Sequence, residues 1–151
     1  MENRHLPLLF FTSIIQIEAI ERVRHMATLP KSDFQFIYGK LTDILHKYSR
    51  GKLHPRTDKP YQYELIGPHP LSLDKEVWFG AVRIGKSYVS YHLMPVYAFP
   101  DLLDGISPDL KKRMQGKSCF NFTHMDEGLF QELAELTERG YERFKQEGLI
   151  R

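Results

Sequence analysis

The stretch Glu76–Pro95, EVWFGAVRIGKSYVSYHLMP, decides the fold. Two runs rich in β-branched and aromatic residues flank Gly85-Lys86, a glycine-containing pair of the kind that closes a two-residue hairpin. With the turn there, Ile84 is expected opposite Ser87, Val82 opposite Val89, Gly80 opposite Tyr91 and Trp78 opposite Leu93. These residues make one nearly apolar side. The other side carries Val77, Phe79, Ala81, Arg83, Tyr88, Ser90, His92 and Met94, a mixture. One face in the core and one partly wet is the antiparallel pattern. Gly80 is expected to leave room for the ring of Tyr91.

The same stretch contains Gly80–Ser87, GAVRIGKS, which fits the nucleotide-loop pattern G-x-x-x-x-G-K-[ST]. That loop works only when a helix starts at the Lys-Ser pair, so that backbone amides at its N-terminus cradle a phosphate. Here the residues between the glycines, Ala-Val-Arg-Ile, prefer a strand, and the YVSYHLM that follows alternates as a strand does. No nucleotide is expected, and Lys86 reads as an exposed turn residue.

Towards the N-terminus, YQYELI (Tyr61–Ile66) reads as another strand, closed by the breaker-rich GPHPLS. KLHPRTDKP before it reads as a loop, from its two prolines. SDFQFIYGKLTDILHKYSRG reads as a helix, with Phe34, Ile37, Leu41, Ile44, Leu45 and Tyr48 on one face. Ser32 and Gln35 suit a capping box, and Gly51 a helix-ending glycine. Beyond the hairpin, FPDLLDG and SPDLKKRMQG suggest two short helices, the second capped by Ser107 with Pro108 behind it. KSCFNFT is a strand. MDEGLFQELAELTERGYERFKQEG is the longest helix, with Phe130, Leu133, Ala134, Thr137, Tyr141 and Phe144 facing inward. The expected fold is α+β: a single two-layer domain, a curved antiparallel sheet with its central hairpin at about 76–94, helices on one face and a long C-terminal helix.

With 151 residues there is room for one domain with a real core. Residues 31–151 are expected to form it. Residues 1–30 are expected as an N-terminal extension, either an extra helix or a stretch upstream of a start at Met26. Within them Leu6–Ile17 is too short an apolar run to span a bilayer, and charged EAIERVRH follows instead of a small-residue cleavage site. The chain is expected to be cytoplasmic and off the membrane. A single cysteine, Cys119, excludes an internal disulfide and any cysteine-based zinc cage. A net charge of +2 gives no global pull towards nucleic acid, which is not expected as a partner.

The chemical signals are local. Cys119 alternates with Phe120 and Phe122, as a packed thiol would, but Lys111, Lys112, Arg113 and Lys117 nearby would favour a thiolate. The same cations either complement a helix end or, with amides near Gly116, form an anion site. No histidine pair has metal-ligand spacing, and His92 and His124 read as hydrogen-bonded structural residues. Glu132, Glu135, Glu138 and Glu142 line the polar face of the last helix. No nucleophile and base can be paired by spacing, so an enzyme is the less favoured class.

YVSYHLMPVYAFPDLLDGISPDLKKRMQGKSCFNF, followed by DEGLFQELAELTERGYERF, resembles the YdhG-like family of small bacterial proteins of unknown function. The resemblance runs from about Asp33 to Gly148 and is most specific over Ser107–Phe122. It implies a compact α+β domain of helices on one side of a curved antiparallel sheet. One branch of that family is described as a frataxin-like iron chaperone, so the resemblance also implies iron as a cargo. Two functions follow. The first is a non-enzymatic iron-handling protein working through surface carboxylates and His92 or His124. The second is a small-ligand or anion-binding domain, its pocket between the mixed hairpin face and RMQGKSCFNF. Tyr88 and His92 would provide polar contacts there and Arg113 and Lys117 the charge, with Cys119 and Asn121 on the same segment.

Overall fold

The structure is a computed structural model that describes residues 32–69 and 72–150. The expectations for residues 1–30 lie outside the described residues. The elements run α1 (Ser32–His46), β1 (His54–Lys59), β2 (Gln62–His69), β3 (Ser72–Ile84), β4 (Val89–Leu93), α2 (Met94–Ala98), a 3-10 turn (Pro100–Leu103), α3 (Pro108–Lys111), β5 (Met114–Gln115), β6 (Cys119–Phe122) and α4 (Glu127–Gln146). Six strands form one antiparallel sheet in the order β1-β2-β3-β4-β6-β5. The helices pack on one of its faces, as the α+β reading requires. No helix among the described residues is long and apolar enough to cross a membrane.

Strand alternation sorts the side chains into two layers. Tyr63, Val82, Tyr91, Phe120 and Met114 stand opposite one another across five strands. The first four are fully buried against α1 and α4. One residue along, Thr57, Glu64, Ala81, His92, Cys119 and Gln115 make a second row across all six strands. That row faces away from the helices and is mostly polar. The core is completed by Ile37, Leu41 and Leu45 of α1 and by Phe130, Leu133, Leu136 and Phe144 of α4. Burying each large apolar side chain contributes about 1.5–3 kcal/mol.

Two details of the hairpin differ from the expectation. Gly85 donates its N–H to the Tyr88 carbonyl at 2.8 Å, so the connecting pair is Lys86-Ser87 instead of Gly85-Lys86. The pairing moves by two positions, setting Ile84 against Val89, Val82 against Tyr91 and Gly80 against Leu93. A shift of two preserves the faces, because the side-chain period is two. Gly80 therefore does not make room for Tyr91. A methyl there would come within 2.9 Å of the His92 carbonyl oxygen and 3.0 Å of Leu45, so glycine lets α1 and β4 approach.

The second detail is a bulge. Leu65 pairs with Gly80 and Ile66 with Trp78, which leaves Phe79 as the extra residue of β3. Expected on the mixed face, Phe79 instead turns into the core and packs near Tyr48, Tyr141 and Phe144. Trp78, expected on the apolar face, moves to the open one, 5.9 Å from the His92 ring.

Other boundaries shift too. The KLHPRTDKP segment is not a loop: it carries β1, an exposed edge strand that tolerates Pro55 because only an edge can spare an N–H. β2 continues through Gly67 and Pro68, past the expected breaker. Helix α1 stops at His46, well before Gly51, whose φ of +100° serves the following loop. Ser32 is already helical, and Gln35 donates its amide to the Pro60 carbonyl at 3.1 Å. Short helix α3 has the expected cap, Ser107 Oγ accepting from the Leu110 N–H at 3.1 Å. At α4, Asp126 accepts from the Leu129 N–H at 3.0 Å.

Candidate functional site

The six residues singled out by sequence fall in different places. His92 and Cys119 are directly opposed on β4 and β6, and Asn121 stands two positions further along β6 on the same open face. The Cys119 thiol donates to Asn121 Oδ1 at 3.3 Å, and Sγ lies 3.7 Å from His92 Nε2. Asn121 Nδ2 donates in turn to Gln115 Oε1 at 2.7 Å. Alternation on two neighbouring strands brings these three together. Tyr88 stays at the hairpin tip, over Gly85. Arg113 is joined to Asn121 through its carbonyl, but its guanidinium lies 3.5 Å from His124 Nε2. Lys117 points elsewhere, over the Tyr97 ring at 5.8 Å.

Electrostatics decides what the Cys119–His92 pair can do. Burial pushes the Cys119 thiol above its ordinary range, and the expected lowering by nearby lysines does not occur. Burial, helped by the Arg83 charge, pushes His92 below its ordinary 6.5. Both groups are therefore uncharged at neutral pH, the opposite of an activated thiolate–imidazolium pair. The cluster is a polar network on a sheet face, without a primed nucleophile.

The acidic face of α4 is likewise engaged. Glu132 accepts from the Ser107 N–H and from its hydroxyl, the latter at 2.7 Å. Glu138 accepts from the Tyr48 hydroxyl, and Glu142 pairs with Lys145 at 3.1 Å. Glu135 accepts from Gln131 at 3.1 Å. Among the described residues no group of three or more His, Cys, Asp or Glu side chains is arranged to hold a metal ion. The Gly80–Ser87 pattern lies on β3 and the hairpin tip, and strand β4 follows it where a phosphate loop would need a helix.

A concavity does adjoin the RMQGKSCFNF segment, with no residue of the mixed hairpin face in its lining. It is a groove of about 700 Å³ framed by α2, the 3-10 turn, α3 and the turn after β5. Val96, Leu103 and Met114 give it an apolar floor, and Pro100 closes one side. Tyr97, more than half exposed, stands at the rim with Lys111 and Lys117. Gly116, with φ +72°, makes the left-handed turn that carries the chain from Met114 to Lys117. Sequence analysis named Lys117 and the basic run but not this wall. The wall depends on where α2 and the 3-10 turn settle, which strand alternation does not encode.

Comparison with family models, with curated proteins and with solved structures finds no match for this chain.

Proposed function

We propose that this chain is a non-enzymatic small-ligand-binding domain of the YdhG-like kind it resembles, with its ligand seated in the groove beside Lys117. One observation carries the reading: an apolar-floored groove of about 700 Å³ with only a few polar groups at its rim. Ligand sites are typically concavities of about 300–1,000 Å³ with that composition. The reading also fits the Cys119–His92 pair, whose thiol is held by burial in its protonated, weakly nucleophilic form. The pocket differs from the one expected between the hairpin and RMQGKSCFNF: Val96, Tyr97, Pro100 and Leu103 line it with that segment, and Tyr88 and His92 do not.

The test is a fragment screen followed by backbone amide NMR on the full chain. Hits should shift Val96, Leu103, Met114 and Gly116, and Leu103→Glu should abolish them. Shifts confined to His92, Cys119 and Asn121 would move the site to the open face and overturn this assignment. Anaerobic iron(II) titration serves as the rival arm: saturable one-to-one binding that survives Leu103→Glu would favour the iron-handling role instead.

A further inference from the structure

We infer that the groove selects its ligand by charge, taking an amphipathic anion in which a carboxylate caps an apolar ring or short chain. This rests on the groove being the binding site and adds the class of ligand. The four cations of this segment are not equivalent. Lys112 is paired with Asp109 at 3.0 Å, and Arg113 lies against His124. Lys111 and Lys117 have no carboxylate partner among the described residues, and these are the two that line the groove. No acidic side chain lines it.

The fold places the Lys117 ammonium and the helix that carries Lys111. Lys117 rests over the Tyr97 ring, a cation–π contact that holds it at the rim. Lys111 belongs to α3, which Ser107 caps and Glu132 ties to α4. An apolar body on Val96, Leu103 and Met114 would bring its head group to these two charges. A neutral head would cover a lysine without pairing it, and a cationic head would be repelled. No guanidinium lines the groove, so the anionic head meets two point charges and not a planar bidentate clamp. Because the lysines are exposed, the preference is moderate and salt-sensitive.

The experiment is calorimetric titration of the full chain with 2-naphthoate, 2-naphthamide and 2-naphthylmethylammonium, at low and at moderate salt. The acid should bind about ten-fold more tightly than the amide at low salt, a difference on the order of 1.4 kcal/mol. The amine should bind weakest, and added salt should shrink the gap between acid and amide. Lys111→Gln and Lys117→Gln should each lower acid affinity several-fold and amide affinity by much less, so that the ratio of the two falls. Equal affinities for acid and amide, with NMR shifts still in the groove, would overturn the charge selection and leave the binding site standing. No binding by any of the three probes would overturn both. Loss of amide binding in a lysine variant points to altered folding; an unchanged thermal midpoint with that loss would count against the charge assignment.

Discussion

Gly39 and Gly140 are both helix-interior glycines, yet the same change should move stability in opposite directions. Alanine is favoured over glycine in a helix interior by about 1 kcal/mol. At Gly39 of α1 an added methyl meets nothing within 4 Å, so that preference is realised. At Gly140 of α4 it would lie 2.8 Å from Cβ and 3.1 Å from Cγ of Pro95, atoms of a rigid ring. Overpacking of this kind costs about 1–3 kcal/mol, which outweighs the propensity gain. Gly39→Ala is expected to raise the urea midpoint by about 0.5–1 kcal/mol of stability, and Gly140→Ala to lower it by about 1–2 kcal/mol, with m unchanged. A stabilised Gly140→Ala protein would show that α4 is free to retreat from Pro95.

At the scale of elements, the edge strand β1 is held by charge as well as by its ladder. Arg56 reaches Glu64 of β2 at 2.8 Å and Glu76 of β3 at 3.4 Å. Burial alone would raise the Glu64 pKa, but hydrogen bonds from Arg56, Gln62 and Thr57 outweigh it and hold it below the ordinary 4.5. A carboxylate depressed in the fold contributes stability above its unfolded value and loses it as pH falls through the folded one. Arg56 is half exposed, so solvent screening limits the pair to about 0.2–1 kcal/mol. Glu64→Gln should cost that much at neutral pH, and the gap from the parent should close well below pH 4.5, read from denaturation midpoints across pH. A gap that persists in acid would assign the loss to packing. This strand was also the element that sequence concealed: Pro55 and five charged or polar neighbours read as loop, since edge strands lack the apolar alternation of central ones. The hairpin was legible because alternation survives a shift of two, whereas the bulge at Phe79 was not, because an extra residue leaves no mark in composition. The same logic divides the site. His92, Cys119 and Asn121 could be grouped from strand parity alone, while the groove depends on where two short helical turns settle, which parity does not encode.

Across the whole molecule, α4 is the common support. It meets the turn after α1 through Tyr48 and Glu138, and β4 through the Tyr91–Thr137 hydroxyl pair at 2.8 Å. It meets β6 through Phe122 and Phe130, and α3 through Ser107 and Glu132. Phe144 packs edge-on to Phe79 of the bulge and to Phe99, while Arg143 is ion-paired with Asp101 of the 3-10 turn. Undocking α4 would thus expose the helix-facing side of the sheet and release the frame of the groove in one step. The chain's single tryptophan, Trp78, sits on the opposite, open face. Its fluorescence reports the sheet, whereas far-ultraviolet circular dichroism is dominated by α1 and α4. If α4 and the sheet hold each other up, the two signals should give one coincident urea transition, as two-state domains of this size do. A dichroism midpoint at lower urea than the fluorescence midpoint would show that the sheet outlasts its helices. The groove would then be the first part of the molecule to open.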